Sequence, residues 1–133
     1  MSEPTERYKT GLATRRAVLG GPYVDAAVAS TTAFNADFQT LITESAWGSV
    51  WSRDTISKRE RSMLTIALLA ALGHHDEVAM HVRATGNTGA SMDDIKEALL
   101  HVAIYAGVPA ANHAFKIAAK TYAEMDAEAK TTG

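Results

Sequence analysis

The strongest constraint on this chain is the ten-residue stretch Met63 to Leu72, apolar at every position but Thr65 and preceded by Ser57-Lys58-Arg59-Glu60. A serine followed three residues later by a glutamate is a capping box, in which each side chain satisfies an unpaired amide at a helix start. The pattern predicts a helix from there to Leu72, stopped by Gly73. At ~1.5 Å per residue such a helix is about 22 Å long, enough to cross a small domain. Its second half is apolar on nearly every face, so it is expected to be the central core helix. A membrane span would need roughly 18 to 20 such residues.

The rest of the chain is punctuated in the same way. Alanine is abundant and no segment alternates apolar and polar residues between turn dipeptides, which predicts an all-α fold: a single-domain helical bundle of about six helices over residues 1–133. The first helix is expected from near Pro4 to Gly20-Gly21, and one or two more from Tyr23 to about Trp47. Phe34, Phe38, Leu41 and Ile42 would form one apolar stripe there. Trp47, Gly48, Trp51, Ser52 and Arg53 then break the pattern as an aromatic-rich connection. A short helix from about His75 to Thr85 would close at Gly86 and the turn Asn87-Thr88-Gly89. Ser91 caps the next helix, with Asp93 and Asp94 where the helix dipole favours negative charge, and Gly107 ends it. Pro109 starts the last, whose Ala110, Ala111, Ala114, Ala118 and Ala119 permit close helix approach. Residues 1–5 and 128–133 are expected to fray. A bundle this rich in alanine has little room for a bulky core, which predicts that it buries further surface by oligomerising.

Several chemistries are excluded by composition. The chain has no cysteine, which removes disulfides, thiolate metal sites, cysteine nucleophiles and dithiol redox chemistry, and fits a cytoplasmic protein. A net charge of -2 offers no field for nucleic acid or an anionic membrane. The polar N-terminus lacks a signal peptide's apolar core, so export is not expected. No glycine-rich nucleotide loop, phosphate loop or serine-hydrolase elbow is present.

Five histidines remain as the main chemical resource. The densest ionisable group is His74-His75-Asp76-Glu77 followed by His81. His74, Glu77 and His81 fall on one helical face, and a carboxylate four residues before a histidine can orient the imidazole and raise its pKa, as suits a proton donor. The same residues also read as a solvated helix start with dipole-favoured acids, or as ligands for a transition metal, although the spacing is not that of the zinc hydrolases. His101 lies amid apolar residues, as a hydrogen-bonded core histidine would, and His113 could reach a cleft or merely pack. Tyr105 could place its hydroxyl at a pocket or lie buried. Arg53, Arg61 and Arg83 are candidate carboxylate binders, and Trp47 with Trp51 fits a core or subunit contact.

The runs Ala46-Trp47-Gly48, Val50-Trp51-Ser52-Arg53, Arg61-Ser62, Ala70-Ala71-Leu72-Gly73, Glu77, His81-Val82-Arg83 and, above all, Ala103-Ile104-Tyr105-Ala106-Gly107-Val108-Pro109-Ala110-Ala111-Asn112 resemble the carboxymuconolactone decarboxylase family of the alkylhydroperoxidase D-like superfamily. The resemblance extends from Arg15-Arg16-Ala17-Val18-Leu19-Gly20 to Phe115. It implies that superfamily's all-helical fold and a homo-oligomer, often a hexamer. Redox members carry Cys-x-x-Cys-x-x-x-His; on this chain the cysteines fall on His74 and Glu77 and the histidine on His81, while a glutamate of that branch corresponds to Ser62. Without thiols, peroxide reduction by that route is excluded.

The decarboxylase branch is what the resemblance leaves: a cytosolic step in which 4-carboxymuconolactone loses carbon dioxide to give the enol-lactone of 3-oxoadipate. The departing carboxylate is conjugated through a double bond to the lactone carbonyl, so the substrate is its own electron sink and no cofactor or metal is called for. On this expectation His81 donates the proton and Glu77 orients it and keeps it protonated. His74, Ser62 and Tyr105 line the pocket, and Arg61 or Arg83 holds the retained carboxylate. At about 100° per residue Arg83 points well away from His81, so it would need a bend or a neighbouring subunit to serve the same pocket. Another carboxylated lactone as substrate, for a decarboxylase or an isomerase, and a non-catalytic oligomeric binding module are the alternatives. A fused enol-lactone hydrolase domain, carried by some relatives, is not expected in 133 residues.

Overall fold

The computed structural model describes residues 3–132. Those residues form seven α-helices and one π-helical segment, with no strand among them. The chain folds as two compact units, residues 1–57 and 58–133.

In the first unit, α1 (Glu6–Leu19) starts two residues later than Pro4 suggests, because Thr5 takes the capping position and its hydroxyl accepts from the Tyr8 amide at 3.0 Å. Gly20, at φ 98°, separates α1 from α2 (Gly21–Ala29). Helix α3 (Ala36–Ile42) runs directly into π-helical turns over Thr43–Trp51. The expected aromatic connection is therefore helical. Thr43, Trp47 and Trp51 are buried at spacings of four, which an i to i+5 turn, wider than an α turn, keeps on one side. The two indoles pack with centroids 5.1 Å apart.

Two glycines bring α1 against this segment. A Cβ on Gly11 would run into the Thr43 carbonyl, and one on Gly48 would meet the Arg7 carbonyl. Buried Arg15 closes the contact, donating to Gln39 Oε1 at 3.2 Å and Thr43 Oγ1 at 3.4 Å. The expected stripe of Phe34, Phe38, Leu41 and Ile42 is not a core face of this chain. Phe34 is 98% exposed, and Phe38 and Leu41 are exposed as well, because the side of α3 that packs inward is the one leading to Gln39 and Thr43.

The second unit contains α4 (Lys58–Leu72), α5 (His75–Thr88), α6 (Met92–Tyr105) and α7 (Val108–Thr132). Its core joins Ile66 and Ala70 of α4, Val78 and Val82 of α5, Ile95, Leu99 and Val102 of α6, and the small Ala111, Ala114 and Ala118 face of α7. Helix α4 is apolar on most sides but buried on one. Leu64, Leu68 and Leu72 are exposed, since at about 100° per residue they lie opposite Ile66 and Ala70. Helix α5 does not stop at Gly86 but continues to Thr88, where Gly89 at φ 87° returns its amide to the Thr85 carbonyl at 3.0 Å. Helix α7 continues through the expected frayed tail to Thr132, with Arg83 paired to Glu124 and Glu128 at 3.8 and 2.9 Å. Residues 1, 2 and 133 of the segments expected to fray lie outside the described residues.

The N-termini of α4 and α6 are tied together. Ser91 and Asp94 form a complete capping box, with bonds of 3.0 and 2.9 Å, and Arg59 donates to both Asp94 oxygens at 2.7 and 2.6 Å. Replacing Ser91 by alanine should lower stability in urea unfolding by about 1 kcal/mol. Gly11→Ala should cost roughly 1–3 kcal/mol, because backbone rather than a flexible side chain occupies the space.

Candidate active site

Helix α5 presents Val78, His81, Val82 and Thr85 on its buried side. His81 is 6% exposed, the one buried histidine among the described residues. Burial opposes its charged form and pushes the imidazole pKa down to about 4, while the Glu77 carboxylate one turn earlier pulls the other way. The upward influence expected of Glu77 is present, but desolvation outweighs it, so His81 is neutral at pH 7.

Ser62 of α4 is completely buried and shares a 2.7 Å hydrogen bond with the Thr88 hydroxyl. Thr88 lies seven residues after His81, on the same face of α5. The turn expected over 86–89 concealed it, and the spacing His81, Thr85, Thr88 is the signal that would have found it. Arg61 is buried beside Ser62 on α4.

Other candidates lie at the surface. Glu77 and His74 are exposed, and His74 occupies the capping position of α5. Arg83 is exposed and held by the two α7 glutamates. Tyr105 is 84% exposed, with its ring 6.2 Å from that of His101, which is itself at the surface and not in the core. His113 stacks on His75 at 3.8 Å. Among the described residues no three of His, Asp or Glu come together as a metal ion would require, the His74, Glu77 and His81 set included.

The arrangement is thus an acid–base group shielded from water on an all-helical scaffold, with a carboxylate at the solvent edge and a hydroxyl on the same helix face paired to one on α4. Residues 36–120 match the sequence model of the carboxymuconolactone decarboxylase family. The chain is 44% identical over 120 residues, 90% of each sequence, to 4-carboxymuconolactone decarboxylase of Acinetobacter baylyi. It is 37% identical over 118 residues, 89% of this chain and 82% of the relative, to a nitrosuccinic acid decarboxylase of Metarhizium robertsii. The chain belongs to the carboxymuconolactone decarboxylase family.

The depressed pKa of His81 fixes the sign of one pH effect. Below about 6.5 the unfolded chain binds a proton at this residue, whereas the folded chain binds it only near 4. Its contribution to stability is therefore complete above about 6.5 and lost as pH falls toward 4, by an amount on the order of 3 kcal/mol. Denaturant unfolding at a series of pH values should show this slope, and His81→Gln should flatten it.

Proposed function

We propose that this protein is a cytoplasmic, homo-oligomeric decarboxylase that converts 4-carboxymuconolactone into the enol-lactone of 3-oxoadipate and carbon dioxide without a cofactor. The observation that carries this reading is the buried imidazole of His81 in a thiol-free chain of this family. The carbon–carbon bond to the departing carboxylate breaks, carbon dioxide leaves, and the electron pair spreads through the double bond onto the lactone carbonyl oxygen. One proton then goes to carbon.

His81 delivers that proton in this scheme. Neutral in the free protein, it takes up the proton as the dianionic substrate binds, because two carboxylates beside a buried imidazole favour its charged form. Glu77 adds to the same pull and orients the ring. Ser62, positioned by Thr88, lines the pocket. Arg61 is the better candidate for the retained carboxylate, since it is buried beside Ser62 whereas Arg83 lies at the surface. His74 and Tyr105, both at the surface, contribute where a second copy covers them. The exposed Leu64, Leu68 and Leu72 support assembly, with a hexamer as the expected state. No helix among the described residues is long and apolar enough to cross a membrane, and neither a membrane nor nucleic acid is a proposed partner.

A second reading comes from the Metarhizium relative: an acid whose departing carboxylate sits beside a nitro group, which is also an internal electron sink. The test of the enzyme class is carbon dioxide release by metal-stripped protein from 4-carboxymuconolactone and, separately, from nitrosuccinate. Activity that a divalent ion has to restore would support the metal reading instead. For the residue roles, His81→Gln in a folded protein should lower kcat by about 100-fold or more; near-wild-type turnover removes His81 from the mechanism. The alkaline fall in kcat/KM, which reports the free enzyme, should lie at lower pH than the fall in kcat, with Glu77→Gln moving the first further toward acid.

A further inference from the structure

Along one side of α6 and α7 runs a cleft of about 550 Å³, lined mainly by apolar side chains, among them Met92, Ile95, Leu99, Phe115, Ala119 and Tyr122, with Lys96 and Asp126 also on its walls. It is partly open to solvent, so a protein ridge can enter it as well as a small molecule. This chain carries such a ridge. Phe34, Phe38 and Leu41, at spacings of four and three, are 98%, 58% and 58% exposed. We propose that the Phe34-Phe38-Leu41 ridge of one copy seats in the α6/α7 cleft of a second copy of this chain.

Area and charge support this occupant. The exposed parts of the two phenylalanines bring roughly 230–390 Å² of surface, about a third to a half of the roughly 800 Å² that each partner of a stable interface buries. Phe115 and Tyr122 line the cleft as aromatic partners for them. Asp37, exposed beside Phe38, is the one charged side chain of α3 and makes no ion pair among the described residues. Lys96 is its complement. The present partner of Lys96, Asp93 at 3.3 Å, is a solvent-exposed i, i+3 contact that is easily exchanged. Asp126 is already compensated by Lys130 at 3.0 Å. Ridge and cleft are different surfaces, so the contact is either exchanged reciprocally across a two-fold axis or repeated head to tail.

The inference rests on the proposed homo-oligomer and names the surfaces that build it. The absence of cysteine makes the test direct. Leu41→Cys and Ala123→Cys are placed on separate copies of the full chain, mixed, oxidised and separated without reductant, with sedimentation of the unmodified protein in parallel. The expected result is a mixed disulfide dimer from the mixture, and a Phe38→Glu variant that keeps its helical circular dichroism but raises the dissociation constant of assembly about tenfold or more. An assembled protein without that cross-link overturns this inference and leaves the oligomer standing, whereas a monomer at all concentrations overturns both. A disulfide formed only within single chains carrying both cysteines overturns it too.

Discussion

Helix α5 has one side to bury, between Val78 and Thr85, and an imidazole lies in the middle of it. The helix cannot contribute Val78 and Val82 to the core without also taking His81 out of water. The cost of burying a charge is what makes this histidine unlike the other four. It holds the ring neutral against a nearby carboxylate and makes its protonation depend on what else enters the site. A packing requirement and a chemical property are here the same fact.

The helices were legible from their ends. Ser91, Gly20, Gly73 and Gly107 are local signals whose geometry depends on neighbouring backbone, and each marks a helix boundary in the structure. What sequence pattern could not resolve was which apolar side turns inward. The leucines of α4 and the phenylalanines near α3 are spaced like core residues and are exposed in this chain, because periodicity identifies a face without identifying its cover. The π-helical turns escaped for a related reason: a spacing of four around Trp47 and Trp51 looks like the end of an α-helix, although a wider turn accommodates it.

For the proposed site, His81, Glu77 and Ser62 could be picked out from the residues that stand where redox relatives have their motif. Their environments could not. Glu77 and His81 are four residues apart and differ completely in exposure, so the balance between attraction and desolvation needed the fold. Thr88 was hidden by a glycine that reads as a stop and is helical, because the αL residue that closes α5 is Gly89, three positions later.

Asp94 has a consequence for how this protein meets acid. A single carboxylate completes the α6 cap and receives both guanidinium bonds from Arg59, and together these hold its pKa far below the usual carboxylate range. The stabilisation from a carboxylate so depressed is kept down to the ordinary carboxylate range and lost as pH falls below it, after most of the His81 contribution has gone. Acidification therefore charges the interior of the second unit while the joint between α4 and α6 still holds. The two proton-sensitive elements act in sequence, and over the intervening range the frame outlasts the packing it encloses.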